Sequence, residues 1–454
     1  MSRIGILCPG AIGHLNPMCN LGIELLRRGH KVILFGVPEV EEKISQSNLE
    51  FYEIGGSDFP LGSIESMYTQ LGQLTGLEGL KFAIQFFKKE ASMLFRDAPD
   101  VIRSAQIDVL LIDQVTSAGG TIADYLNLPF ITVCNALPIN TEPGVPPYFT
   151  HWTYKNVWWA KLRNQLGNVL INYLTCSIWD VLVQQRKTWH LPPHSKRADS
   201  SSKLAQISQL PQELDFPRQK IAPWFHYAGP LKNPLDIEPV SLNRQHFSFE
   251  LLNGKPLIYA TLGTLQNQNW KIFHCIAEAC LDINAQLVIS LGNPKADASK
   301  ADFPGSPIVV AFPPHQQLIN RSHLVITHAG STALSCLSSG VPMVAIPITT
   351  DQPGMAARVA RAGAGEVVPL TKLNVPKLKM AIKKVLEDRT YRDNAAKLCC
   401  AIQEAGGVCY AADVIEQVIN TRSPVLNKHL PGSGANTPND STLLQTTNMS
   451  DLNL

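Results

Sequence analysis

Two ionisable side chains are spaced for acid–base chemistry, His14 and Asp113. His14 lies in Gly10-Ala11-Ile12-Gly13-His14-Leu15-Asn16-Pro17, after the apolar run at 4–8. Asp113 directly follows the run Val109-Leu110-Leu111-Ile112. In a parallel sheet, ligands bind beyond the carboxyl ends of the strands. Strands one and four of such a sheet are often neighbours, so the two side chains are expected to meet. A neutral imidazole held by a carboxylate is a general base whose imidazolium the carboxylate stabilises. The plainer reading makes His14 a loop hydrogen-bonder and Asp113 a helix N-cap. A second group is Thr327-His328-Ala329-Gly330-Ser331-Thr332, between a strand and a helix ending near Ser339. Small residues at a helix start leave backbone N–H groups open to an anion, and His328, Ser331 and Thr332 add donors. The alternative is an ordinary strand-to-helix turn. There is no Gly-x-x-x-x-Gly-Lys and no Gly-x-Gly-x-x-Gly, so neither a Walker loop nor a dinucleotide fingerprint is present. A third group, Asp351-Gln352 in Pro347-Ile348-Thr349-Thr350-Asp351-Gln352-Pro353, can bind sugar hydroxyls through carboxylate oxygens and an amide. Asp351 also fits an N-cap. No Asp-x-Asp and no His-Glu-x-x-His occurs, so no catalytic metal or other cofactor is expected.

The elements that must position these groups alternate along the chain. Strands are expected at 4–8, 31–35, 109–112 and Phe130–Cys134, with helices at 16–28 and 117–126. Short apolar runs alternating with helices mean an α/β chain with a parallel sheet wrapped on both faces. Residues 148–189 read as helical and Trp-rich. After a Pro/Asn-rich stretch near 229–254, alternation restarts, with strands expected at Leu257–Thr261, Gln286–Ser290, 308–311, Leu324–Thr327 and 343–346. Helices are expected at Val375–Glu387, 391–404 and 410–419. The chain is therefore read as two doubly wound halves, 1–230 and 255–405, joined by a linker at 231–254. From 423 to 454 the composition turns to Ser, Thr, Asn, Pro and Gly, and this tail is expected to be disordered.

Composition narrows the function classes. Among 454 residues, 45% are hydrophobic and 17% charged, and 39 Lys+Arg nearly cancel 37 Asp+Glu. A mainly disordered chain does not fit, and nothing supports general nucleic-acid binding. Ten cysteines without a Cys-x-x-Cys pair read as reduced thiols, hence a cytoplasmic protein. Arg3 is followed at once by a strand, so no secretory leader is expected. The longest stretch without Asp, Glu, Lys or Arg, 322–350, is broken by Gly330, Gly340, Pro342 and Pro347 and does not read as a membrane span. Trp152, Trp158, Trp159, Trp179 and Trp189 cluster with Tyr148, Phe149 and Tyr154. Apolar pockets with a few polar groups suit lipophilic small-molecule acceptors, and Trp152, Trp158 and Trp159 are the expected acceptor contacts. Lys155, Lys161 and Arg163 flank the Trp pair. They form either an edge that rests peripherally on anionic lipid or solvated charges on an ordinary packed helix.

Several motifs occur in order: Phe312-Pro313-Pro314-His315-Gln316-Gln317-Leu318, His328-Ala329-Gly330, Gly340-Val341-Pro342, Asp351-Gln352-Pro353 and Ala357-Arg358. Together they resemble the nucleotide-sugar signature of the UDP-glycosyltransferase superfamily, GT-B fold. Gly13-His14-Leu15-Asn16-Pro17 resembles its catalytic loop and Thr261-Leu262-Gly263-Thr264 its donor-domain loop. The likeness runs to about Asn420. Cys134-Asn135-Ala136-Leu137-Pro138, Val145-Pro146-Pro147-Tyr148-Phe149, Trp158-Trp159 and Phe225-His226-Tyr227-Ala228-Gly229-Pro230 look most like bacterial, especially cyanobacterial, zeaxanthin glucosyltransferase-like enzymes. The resemblance implies two Rossmann-like domains facing a cleft, and an inverting transfer of a hexosyl group, glucosyl above all, from a nucleotide sugar to a lipophilic hydroxyl, a carotenoid being one candidate. It makes His14 the base and Asp113 its partner. Thr264 falls in the donor loop, and Phe312 stacks on the nucleobase. His328, Gly330, Ser331 and Thr332 hold the diphosphate, and Asp351 with Gln352 the sugar. It further implies a final helix at 406–422 that returns to the N-terminal domain. Three departures stand out. His315 replaces a base-contacting Gln, the stretch 330–340 is one residue short, and Ser331 and Ser335 stand where Asn and a ribose-binding Glu are expected. A serine cannot bind both ribose hydroxyls as a carboxylate does, which relaxes nucleotide recognition. Two other functions fit parts of the same pattern. A sugar-nucleotide epimerase on the same fold would need more carboxylates than Asp113 and Asp351 in the cleft. A catalytically silent nucleotide-sugar binder would not need His14 and Asp113.

Overall fold

Buried β-branched runs set the frame. The structure, a computed structural model, describes residues 1–427 apart from 45, 75, 234–246 and 268. The N-terminal half runs β1 (Arg3–Leu7), α1 (Ile12–Arg27), β2 (Lys31–Gly36), α2 (Pro38–Ile44), β3 (Glu50–Glu53), α3 (Ser63–Gln73) and α4 (Gly76–Ser104). It continues with β4 (Val109–Asp113), α5 (Gly119–Leu126), β5 (Phe130–Cys134), α6 (Trp158–Leu174), α7 (Cys176–Thr188), β6 (Gln206–Ser208) and β7 (Phe225–Tyr227). The described residues form one parallel sheet of order β3-β2-β1-β4-β5-β6-β7. Ile4, Ile6, Leu110 and Leu111 are fully buried, as a sheet covered on both faces requires.

The second half repeats the design. It runs β8 (Leu257–Thr261), α8 (Trp270–Cys280), β9 (Gln286–Ser290), β10 (Ile308–Val310), α9 (His315–Arg321) and β11 (Leu324–Thr327). Then come α10 (Ser331–Ser338), β12 (Met343–Ala345), α11 (Gln352–Arg361), β13 (Gly365–Val367), α12 (Val375–Glu387), α13 (Thr390–Glu404) and α14 (Gly407–Thr421). Its parallel sheet has the order β10-β9-β8-β11-β12-β13. In each sheet the direction of winding reverses between the first and fourth strands of that half, β1/β4 and β8/β11. Ligand crevices open at such switch points.

Several boundaries differ from the sequence reading. Helix α1 starts at Ile12, four residues early, and places His14 in its first turn. Pro17 forfeits only its own N–H bond, and the N–H groups of His14 and Leu15 both reach the Ala11 carbonyl at 2.9 Å. Asp113 is the last residue of β4, not the residue after it. The short strands β3, β6, β7 and β13 and the long helix α4 have no counterpart in the reading from sequence. Of the expected linker, 234–246 lies outside the described residues, and Leu231 and Phe247 on either side are buried.

Helix α14 packs on the N-terminal core through Val408, Ala411, Ala412, Val414, Ile415 and Val418. Arg28 clamps it, donating to Asp413 and Glu416 at 2.6 Å each and to the Cys409 carbonyl at 3.0 Å. The two chain crossings between domains touch. The Gly407 N–H donates to the Ala228 carbonyl at 2.7 Å, and a β-carbon at Gly229 would lie 3.2 Å from that of Ala405. Gly229 and Gly406 hold φ of +73° and +82°, a region that favours glycine.

The expected disorder from 423 onward is corrected by the contacts of 423–427. Val425 is buried and donates its N–H to the Leu204 carbonyl at 2.9 Å. Asn427 donates its side-chain amide to Phe225 O at 3.0 Å. The remainder, 428–454, lies outside the described residues. Ending the chain at Arg422 should therefore lower the melting temperature, because one buried Val and its hydrogen bonds together contribute about 2–4 kcal/mol. Ending it at Asn427 keeps these contacts and should leave the melt unchanged. Equal melting of both truncations would show that the docked segment contributes nothing.

Candidate active site

His14 and Asp113 meet at the first switch point. The last residue of β1, Leu7, pairs with Ile112, so the turn into α1 faces the end of β4. His14 Nδ1 lies 2.7 Å from Asp113 Oδ2. Asp113 is fully buried, and the His14 side chain is 23% exposed, so one edge of the ring reaches the cleft. The carboxylate also accepts the Asn135 side-chain amide at 2.6 Å and the Val115 N–H at 2.9 Å. Asp113 thus serves its own turn and His14 together. A carboxylate on Nδ1 assigns the proton to that nitrogen and leaves the Nε2 lone pair to act as a base. Burial opposes charging His14. The Asp113 carboxylate and its hydrogen bond outweigh it, with Asp351 and Glu90 adding, so His14 titrates above an ordinary histidine.

Asn135 had no role in the sequence reading. It is the first residue past β5, and applying the strand-end rule to that strand would have found it. Gln209 Nε2 donates to Asn135 Oδ1 at 3.1 Å and fixes the amide that supports Asp113.

Beside the pair lies a narrow cavity lined by Phe35, Val40, Phe59, Phe86, Glu90 and Thr116, among others. Burial, reinforced by Asp113 and opposed by His14, pushes the Glu90 carboxyl up to about 8. Its protonated form presents a donor in apolar surroundings. Thr116 Oγ1 is buried there without a partner. The expected acceptor contacts do not line this cavity. Trp152 packs on α6 at Gly167 and under Arg163, 4.6 Å from its ring centroid. Trp158 and Trp159 stand in solvent on α6. Aromatic content alone does not show which way a helix turns its side chains.

The residues expected to bind the donor assemble at the second switch point. Ala329 takes φ of +61°, and Gly330 caps α10 so closely under His328 that a β-carbon there would lie 2.5 Å from Nε2. Gly263, in the loop that carries Thr264, packs on the other side of the same ring. Burial lowers His328 to about 4, so it offers an N–H and no charge. The first-turn N–H groups of Ser331 and Thr332 have no intrahelical partner. Thr332 is buried, and Ser335 lies half-buried one turn beyond Ser331. His315 opens α9, with Nδ1 hydrogen-bonded to the buried Tyr259 hydroxyl at 3.0 Å, and Phe312 is half-buried in the turn before it.

Contacts across the cleft bring both centres together. A β-carbon on Gly13 would lie 3.9 Å from Ser331 Oγ, so the first turn of α1 faces the start of α10. Asp351 caps α11 and accepts the Leu137 N–H of the N-terminal domain at 3.0 Å. The Gln352 carbonyl accepts the N–H groups of Ile348 and Thr349 at 2.9 Å each, which leaves only its amide to meet a ligand. Nearby, Arg358 and Asp215 form an ion pair at 2.8 Å with both side chains 1% exposed. Asp215 also accepts from Arg218 at 2.6 Å and from the Tyr227 hydroxyl at 2.9 Å. Burial pushes the Asp215 carboxyl up, but the two guanidiniums outweigh it and hold it well below the usual carboxylate range.

A base with its carboxylate on one wall, facing a helix N-terminus on the other, can deprotonate a hydroxyl and stabilise a departing anion. Comparison with known proteins agrees with that chemistry. A family model described as UDP-glucoronosyl and UDP-glucosyl transferase matches residues 85–404. The zeaxanthin glucosyltransferase of Pantoea ananas is 31% identical over 437 residues, covering 96% of this chain and 99% of that protein. That of Pseudescherichia vulneris is 30% identical over 424 residues, 92% of this chain and 98% of that one. The crystal structure of CalG4, the calicheamicin glycosyltransferase, superposes with a TM-score of 0.69 at 19% identity, over 93% of this chain and all of that one. With its two facing parallel-sheet domains, the chain belongs to the UDP-glucoronosyl and UDP-glucosyl transferase family and is a glycosyltransferase of GT-B fold.

Proposed function

We propose that the enzyme transfers a glucosyl group, with inversion, from UDP-glucose to a hydroxyl of a lipophilic acceptor of the hydroxylated-carotenoid class. The observation that carries this reading is the 2.7 Å His14–Asp113 pair facing the α10 N-terminus. His14 Nε2 takes the acceptor proton while the oxygen attacks the anomeric carbon from the face opposite the diphosphate. Asp113 stabilises the imidazolium. The Ser331 and Thr332 N–H groups, with Ser331 Oγ and His328, receive the diphosphate charge. Asp351 and the Gln352 amide meet the sugar, Phe312 and His315 the base, and Ser335 the ribose. The apolar cavity beside His14 takes the acceptor's hydroxyl-bearing end, with Glu90 donating to it. Two relatives named for zeaxanthin support the acceptor class, and their names support glucose.

Turnover in this reading needs no divalent metal. Among the described residues no three His, Cys, Asp or Glu side chains converge, and the helix N-terminus supplies the positive field. Ten unpaired cysteines support a reducing, cytoplasmic setting. The test is a mass-spectrometric screen of zeaxanthin, sterols and long-chain alcohols against UDP-glucose, UDP-galactose and TDP-glucose, with and without EDTA. A glucosylated carotenoid from UDP-glucose, formed equally with the chelator, is expected. Products confined to non-carotenoid alcohols would overturn the acceptor class, and strict dependence on magnesium the stabilisation by α10.

A further inference from the structure

Helix α6 is amphipathic the wrong way round for a helix in a soluble domain. At about 100° per residue, Ala160, Asn164, Gly167 and Ile171 share one side. Ala160, Asn164 and Gly167 are buried, against Pro147, Trp152 and the Pro143 carbonyl, which accepts the Asn164 amide at 3.0 Å. The opposite side carries Trp158, Trp159, Leu162, Leu166, Val169, Leu170 and Tyr173, in an arc of roughly 120°. Those seven side chains are between 43% and 77% exposed. Scattered apolar residues on a surface need no explanation, but a contiguous stripe marks an interaction face.

We propose that this face of α6 docks on the surface of a bilayer containing anionic lipid. The charge around it favours that occupant. From 148 to 197 the sequence holds Lys155, Lys161, Arg163, Arg186, Lys187, Lys196 and Arg197 against one acid, Asp180, in a chain whose charges nearly balance as a whole. Arg186 is committed to Asp124. Lys155 and Arg163 stand over the Trp159 ring at the start of the helix, and Arg197 donates to the Asn172 carbonyl near its end. Trp158, Trp159 and Tyr173 mark the two ends of the stripe, and Trp and Tyr favour the headgroup level. The helix lies on the bilayer and does not cross it. Its 17 residues rise about 26 Å, less than a hydrocarbon core of about 30 Å, and Lys161, Gln165, Asn168 and Asn172 occupy its flank. The adjoining α7 departs at 62°. A second copy of the chain would bring one basic rim against another, which disfavours self-association.

The inference is independent of the acceptor assigned above, so its test uses neither donor nor acceptor. The purified full chain is sedimented with vesicles of phosphatidylcholine alone or with a third phosphatidylglycerol. Co-sedimentation with the anionic vesicles, weakened by 0.5 M salt, is expected. Trp158→Glu/Leu166→Glu/Leu170→Glu should bind at least ~10-fold more weakly while melting at the wild-type temperature, since all three side chains are exposed. Quenching of tryptophan emission by brominated lipid gives a second readout on the unmodified protein. Failure of the wild-type chain to bind anionic vesicles overturns the proposal, as does a dimer by light scattering that the triple variant breaks without vesicle binding.

Discussion

Replacing His14 by Ala should lower kcat by at least ~100-fold while leaving the affinity for UDP nearly unchanged, because the base is lost and the helix N-terminus that meets the diphosphate is not. The pH profile adds a stricter requirement. The active form is the neutral imidazole, so activity rises with pH through the pKa of His14. That pKa is raised by Asp113, so the acid limb of kcat/KM should have its midpoint above the ordinary histidine value. In Asp113→Asn the carboxylate no longer favours the imidazolium. The limb should then move to lower pH even as the plateau falls, since Asn cannot stabilise the charge that develops. An unmoved limb would assign that titration to another group, Glu90 being the nearest alternative. Near-wild-type turnover in His14→Ala would remove His14 from catalysis.

The second large effect concerns the joint between the domains. Arg358→Met leaves Asp215 buried beside Arg218 with one guanidinium gone and should destabilise the protein by about 3–5 kcal/mol. Asp215→Ala should be at least as costly, since it strands both Arg218 and Arg358, whose side chains are 3% and 1% exposed. The hydrogen bond from Tyr227 is lost as well. Urea melts of the two single variants and the double variant would measure this. The double variant should fall short of the sum, because the second change removes a charge that the first left unpaired. Strict additivity would mean that the pair is not coupled.

Much of this was legible in the chain. The alternation of buried runs and helices gave both sheets. The strand-end rule led to His14, Asp113, His328 and Asp351, because it rests on topology, which survives errors of a few residues. What stayed hidden depends on facing and on partners distant in sequence. The strand-end rule also reaches Asn135, but that its amide supports Asp113 shows only once β5 lies beside β4. Trp158 and Trp159 read as pocket residues until the inner side of α6 proves to be Ala160, Asn164 and Gly167. Gln352 reads as a sugar ligand, yet its carbonyl closes its own turn. Val425 sits in a stretch of turn-forming residues, and its seat comes from Leu204 and His226, both distant in sequence. The strands β6 and β7 are three residues each, too short for a pattern; β5 offers an edge to β6, and β6 in turn to β7.

The double crossing at Gly229 and Gly406–Gly407 has a mechanical meaning. The chain passes between the domains twice, and the two passages lie against each other, like two pins set on one line. Two connections on one line should limit relative motion to rotation about that line, with the glycine torsions there absorbing the change. Such a rotation would part Gly13 from Ser331, Leu137 from Asp351 and Asp215 from Arg358, and its reversal would restore the same registration. Cutting either passage alone leaves the domains tethered by the other, so a nicked enzyme should keep its two halves together.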